Sequence, residues 1–176
     1  MAATFYAFYD RIVPAANKYM ATLFNTSSTR KVVIRRIYRK TEQSVAGVGV
    51  LLEQEIRFIT ARTAGTAITP IAYDTNLALS AGISADTGST AVTEGTGNRG
   101  LLNRIYTSTE ETLLAELTTS PEGATAFLQD AQLVWWSKGD AEGITLRANQ
   151  GITIKNITSS IIGRVSYQIE FTDEAA

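Results

Sequence analysis

The chain has 176 residues, 44% hydrophobic and 19% charged, with 16 Lys/Arg against 17 Asp/Glu and a pI near 5.5. This suits one globular domain with a substantial core and sets the chain apart from disordered polypeptides and strongly basic nucleic-acid binders. It contains no Cys and no His, which excludes disulfides, thiolate zinc, cysteine nucleophiles, the Ser–His–Asp triad and histidine-ligated metals, cupin chemistry included.

What remains for chemistry is carboxylate, Lys, Tyr and Ser/Thr. Composition therefore favours binding or structure over catalysis, and no cofactor is expected. Residues 1–20 carry Asp10, Arg11, Pro14 and Lys18 without a continuous apolar core, unlike a secretory or transit signal. No run approaches the roughly 18–20 apolar residues of a membrane span. The expectation is a soluble protein made in a bacterial-type cytoplasm, with no membrane partner.

The 24 threonines and the short apolar–polar runs between Gly/Ser/Asn/Asp turns predict an all-β sandwich or barrel. Residues 1–17 hold Phe5, Tyr6, Phe8, Tyr9 and Ile12 before Pro14. Positions 5, 8, 9 and 12 fit one helical face, with strand alternation also open. This stretch is expected as an N-terminal arm, its aromatics packed on their own domain or on a neighbouring subunit. A single β-sandwich domain over 18–176 follows.

A strand at 19–25 is expected to pair through 26–29 with one at 31–40, where Val32, Ile34 and Tyr38 oppose Arg35 and Arg39. In 47–60, Val48, Val50, Leu52, Ile56 and Phe58 share one face and Glu53, Glu55 and Arg57 the other. Residues 67–74 read as a strand. Residues 80–100, without aromatics, read as a long loop of the kind that is usually functional or mobile. Strands at 102–107, 113–117 and 132–137 follow, then three in succession at 144–148, 151–158 and 164–172. In the last, Val165, Tyr167, Ile169 and Phe171 alternate with Arg164, Ser166, Gln168, Glu170 and Thr172, a period of two with one face for a core. The total is nine or ten strands.

Residues 1–62 hold ten Lys/Arg and four Asp/Glu, whereas 63–176 hold six and thirteen. A fold that kept these halves apart would be electrostatically two-sided. The basic run Arg30, Lys31, Arg35, Arg36, Arg39 and Lys40 reads as a solvated strand face or a protein interface. Only Tyr38 interleaves it as an aromatic, so direct nucleic-acid contact is not expected.

The G-x-G-x-x-G spacing at 95–100 lacks the strand-then-helix context of a dinucleotide site and reads as a loop. Glu53/Glu55 and Glu110/Glu111 are carboxylate pairs whose separation across a cleft the sequence does not show. Glu53 and Glu55 share the polar face of a strand and read as solvated, and Asp86 and Glu94 have no EF-hand pattern. The sequons at Asn25 and Asn156 read as chance matches. Trp135 and Trp136 would point to opposite faces of a strand, one into the core and Trp136 toward an interface.

The segments 146–158 (LRANQGITIKNIT) and 163–171 (GRVSYQIEF), with Leu23-Phe24-Asn25, Lys31-Val32-Val33-Ile34 and 65–70 (GTAITP), carry a resemblance. The pairing of a G-I-x-I-x-N strand with a final alternating strand ending in E-F is similar to the C-terminal halves of tailed-bacteriophage virion proteins. The resemblance covers about half the chain and carries no catalytic signature.

It implies a jelly-roll-like antiparallel β-sandwich with an N-terminal arm and one long loop. The implied role is a capsid decoration, or cement, protein on the capsid exterior. Its partners would be the major capsid protein and further copies of itself, a trimer favoured. Contact residues on this reading are Phe5, Tyr6, Phe8, Tyr9, Arg35, Arg36, Arg39 and Trp136. The alternative is a receptor- or glycan-binding tip module of a phage tail or head fibre.

Overall fold

A computed structural model describes residues 3–43, 49–97, 100–109, 132–137, 143–158 and 163–176. The described residues form β1 (Ala3–Ile12), β2 (Tyr19–Asn25), β3 (Arg30–Gln43), β4 (Gly49–Thr63), β5 (Thr66–Ile68), β6 (Ile71–Ala72) and β7 (Ile83–Thr87). After these come β8 (Thr90–Glu94), β9 (Leu101–Thr109), β10 (Gln132–Trp136), β11 (Ile144–Leu146), β12 (Gln150–Asn156) and β13 (Gly163–Ala175). One sheet runs β10-β3-β13-β1-β6, with β11 on the same edge of β3 as β10; the other runs β5-β7-β2-β12-β4-β8, with β9 also on β4. We call them sheet A and sheet B.

Every pairing among the described residues is antiparallel, and the main pairs are nested: β1 with β13, β2 with β12, β3 with β10 and β11, β4 with β9. The chain thus behaves as one long hairpin rolled into two facing sheets, the topology of a jelly roll. The first four strands alternate between the sheets. For that reason β2 and β3, expected as a hairpin, lie in different sheets, and residues 26–29 cross between them.

The core is the apolar face of each sheet. Phe5, Ala7, Tyr9, Ile34, Ile37, Tyr167, Ile169 and Phe171 of sheet A meet Leu23, Leu52, Ile56, Ile152 and Ile154 of sheet B, all buried. Each such large side chain contributes roughly 1.5–3 kcal/mol on burial. Phe5 and Phe171 stack at 5.7 Å between ring centroids. Tyr9 Oη donates to the Thr22 carbonyl at 2.7 Å, tying the sheets together by a buried bond. Gly151 sits where a Cβ would come within 2.5 Å of the Phe24 ring and 2.7 Å of the Leu23 carbonyl oxygen, so only glycine allows this approach.

Two expected irregular regions are ordered strands. Residues 3–12, read as an arm, lie inside sheet A, hydrogen-bonded to β13 along most of their length and to β6. Alternation, not a helical period, governs them. Within the 80–100 loop, β7 pairs with β2 and β5, and β8 pairs with β4. Of the 95–100 motif, Gly95, Thr96, Gly97 and Gly100 are described; the element before it is β8 and the element after it is the strand β9, not a helix. The expected strand at 113–117 lies outside the described residues, as does the Glu110/Glu111 pair.

Nesting also removes the charge segregation that the two halves of the sequence suggested. It places basic β3 against acidic β13. The ion pairs Arg30–Asp173 (2.6 Å), Lys31–Glu174 (3.4 Å), Arg35–Glu174 (3.1 Å) and Arg36–Glu170 (3.6 Å) follow from that pairing.

Candidate functional site: the outer face of sheet A

A bulge in β3 decides which residues reach this face. Opposite it, Glu170 pairs with Arg36 and Phe171 with Ile34, leaving Arg35 as the extra residue. A single extra residue reverses the faces on either side of it. Val32, Ile34, Ile37 and Arg39 therefore point inward, whereas Tyr38 turns outward. Sequence alternation had placed Tyr38 with Val32 and Ile34, and Arg39 on the opposite face.

Register then assembles two rows across the sheet. One runs Trp136, Arg36, Glu170, Tyr6, Ile71; the other runs Leu133, Tyr38, Gln168, Phe8. Trp136 is 55% exposed, Ile71 49%, Phe8 46% and Leu133 41%. Tyr73, just beyond β6 and 55% exposed, packs its ring on Tyr6 at 5.1 Å.

Between the rings lie directed polar groups. Tyr73 Oη donates to Glu170 Oε1, and Gln168 Nε2 donates to the same oxygen at 3.1 Å. Partial burial, the Glu170 hydrogen bond and the Glu170 charge push the Tyr73 phenol up to about 12. A shallow cavity of about 170 Å³ opens beside this stripe, lined by Phe8, Asp10, Tyr38, Lys40, Ser166 and Gln168. The surface is apolar and aromatic with a basic border. Such composition suits contact with another macromolecule.

The eight expected contact residues are divided by this geometry. Tyr6, Phe8, Arg35, Arg36 and Trp136 lie on the outer face. Phe5 (1% exposed), Tyr9 (0%) and Arg39 (3%) are interior and cannot touch a partner of the folded domain. Sequence reading did not single out Tyr38, Leu133, Ile71 or Tyr73 as contact residues. Tyr38 was hidden by the bulge in β3, and Leu133 by a second register shift, between Leu133 and Trp135 in β10, which sets it on the face of Trp136 while Trp135 packs on the core. Tyr73 follows a two-residue strand too short to show a period.

The outer face of sheet B is different. Glu55, expected on a solvated face, is buried and accepts from Arg57 Nε at 2.6 Å and Arg104 Nε at 3.0 Å. Glu94 accepts from Arg57 at 2.7 Å, and from Lys155 and Tyr19 at 2.9 Å each. Burial alone would raise the Glu94 carboxyl. The hydrogen bonds from Lys155 and Tyr19 and the Lys155 and Arg57 charges outweigh it and hold the group below its ordinary 4.5. Asp86 pairs with Arg62 at 2.7 Å. These acids are committed to internal cations, an arrangement that fixes β4, β8, β9 and β12 to one another.

Comparison of the chain with protein-family models, with curated proteins and with solved structures finds no match.

Proposed function

We propose that this jelly roll is a non-enzymatic virion structural protein of a tailed bacteriophage, a capsid decoration protein that docks on the outside of the major capsid lattice. The observation that supports it is the exposed aromatic stripe across sheet A, presented by a rigid two-layer scaffold. A specific contact of this kind typically buries about 1,200–2,000 Å². Repetition over a symmetric shell turns modest contacts into large total stabilisation. The resemblance in 146–158 and 163–171 supplies the phage context and favours a trimer. Jelly rolls occur in viral capsid and lectin domains alike, so the fold itself does not select the role.

The test is copy number per particle, by quantitative mass spectrometry of purified virions of the source phage. The expected result is hundreds of copies in fixed ratio to the major shell protein. Absence from virions would overturn the proposal.

A second reading, a glycan-binding tip module, draws on a specific feature of the same face. The rings of Tyr6, Tyr73 and Trp136 flank Gln168 and Glu170, stacking surfaces beside hydrogen-bonding groups. A few copies per virion, together with retention on bacterial surface polysaccharide, would favour it.

A further inference from the structure

We propose that the interior of the sandwich around Arg39 is a binding site for a small monovalent anion of the halide class. This site is separate from the docking face and independent of the docking reading. Arg39 projects from β3 between the sheets and is flanked in register by Tyr167 of β13 and Gln132 of β10. Its Nη2 donates to Gln132 Oε1 at 3.0 Å. Its Nη1 donates to Gln54 Oε1, reaching across from sheet B, at 3.4 Å. Both acceptors are neutral.

Among the described residues no carboxylate pairs with this guanidinium. By contrast, Arg30, Arg57 and Arg62 each hold an acid at 2.7 Å or less. A guanidinium does not shed its proton in a protein, so the charge stays. An isolated buried charge is strongly disfavoured and calls for a counter-charge.

The surroundings point to what supplies it. Arg39 Nε, Gln54 Nε2 and Tyr167 Oη are buried and have no hydrogen-bond partner. Buried polar groups are almost always satisfied, so three such atoms beside one cation, each able to donate and none charged but the guanidinium, leave a place for an acceptor that carries charge. Burial pushes the Tyr167 phenol up, against the pull of Arg39 and Gln54, and keeps it protonated as a donor. The unpartnered atoms nearby among the described residues that can accept are Tyr167 Oη itself and Asn156 Oδ1, on the strand beside Gln54, and both are neutral. A water could accept from two of these donors but would leave the charge uncompensated. An anion answers both needs.

Sodium bromide is the probe, exchanged against sodium gluconate at constant ionic strength and read by thermal melting of the full chain. Above the dissociation constant, the midpoint should rise by about 3–6 °C for each tenfold rise in bromide. Arg39→Met, which keeps bulk and removes the charge, should abolish this response. Tyr167→Phe, which removes one donor and keeps the ring, should move it to several-fold higher bromide and carries the test if R39M does not fold. Crystals soaked in bromide should show an anomalous peak within hydrogen-bond reach of Arg39 Nε. Equal melting in bromide and gluconate, an undiminished response in Y167F, or a site holding only water would overturn the proposal.

Discussion

Glu94 shows how a single carboxylate closes the outer face of sheet B. It receives Arg57 from β4, Lys155 from β12 and the Tyr19 hydroxyl from β2, so three strands converge on one residue of β8. Its folded-state value lies below the ordinary 4.5. The ionised form therefore stabilises the fold above that value, and the contribution is lost as pH falls through the folded value. Glu94→Gln keeps the shape but removes the charge. It should cost about 1 kcal/mol at neutral pH. Between about pH 5 and pH 3 the wild type should then lose stability more steeply than the variant. Urea melts across that range check it; parallel slopes would mean that Glu94 carries no linked proton. Residue by residue, such environments were poorly legible. Glu53 and Glu55 looked equivalent on a polar face, yet Glu55 is buried because Arg57 on its own strand and Arg104 on β9 both reach it.

At the level of elements, alternation was a reliable guide where a strand has one wet face and no irregularity. The buried hydrophobic residues of β13, Val165, Tyr167, Ile169 and Phe171, are the set that the pattern named, although Ser166 and Thr172 of the other face are buried as well. Alternation failed where a bulge intervened, at Arg35 in β3, because one extra residue exchanges inside for outside. It was ambiguous in β1, where the aromatics at 5, 6, 8 and 9 occupy both faces and fit a helical turn as readily as a strand. The structure resolves this by pairing. Thr4 through Tyr9 match Thr172 through Tyr167 in register, and Phe5 stacks on Phe171. Deleting residues 1–12 should therefore unfold the domain, because it removes Phe5, Ala7 and Tyr9 from the core, opens an edge on β13 and breaks the Tyr9–Thr22 bond. The loss should exceed about 5 kcal/mol, comparable to a whole domain's stability. Circular dichroism and size-exclusion chromatography of the truncated chain check it. A folded product with an unchanged melting midpoint would show that the segment behaves as a dispensable arm after all.

For the whole molecule, the nested topology separates three tasks. The interior binds the sheets together, the outer face of sheet B is closed by its own ion pairs, and the outer face of sheet A leaves its rings uncovered. On the proposed reading, stability and contact belong to different surfaces, and substitutions can separate them. Trp136→Ser with Phe8→Ser removes two exposed rings from sheet A without opening a cavity, so unfolding free energy should change by no more than about 0.5 kcal/mol per site. If the aromatic stripe is the docking surface, these rings belong to its energetic centre. Loss of such anchors typically costs 2 kcal/mol or more, roughly 30-fold in affinity. Tyr106→Ser is the matched control, because Tyr106 is equally exposed at 54% but stands on β9 of sheet B. On the proposed capsid reading, binding of each variant to undecorated shells, measured by co-sedimentation, should fall for the Trp136/Phe8 pair and hold for Tyr106→Ser. The reverse pattern would move docking to sheet B. Equal binding by all variants would remove the aromatic stripe as the contact and leave the loops at the ends of the sandwich as the surface to test.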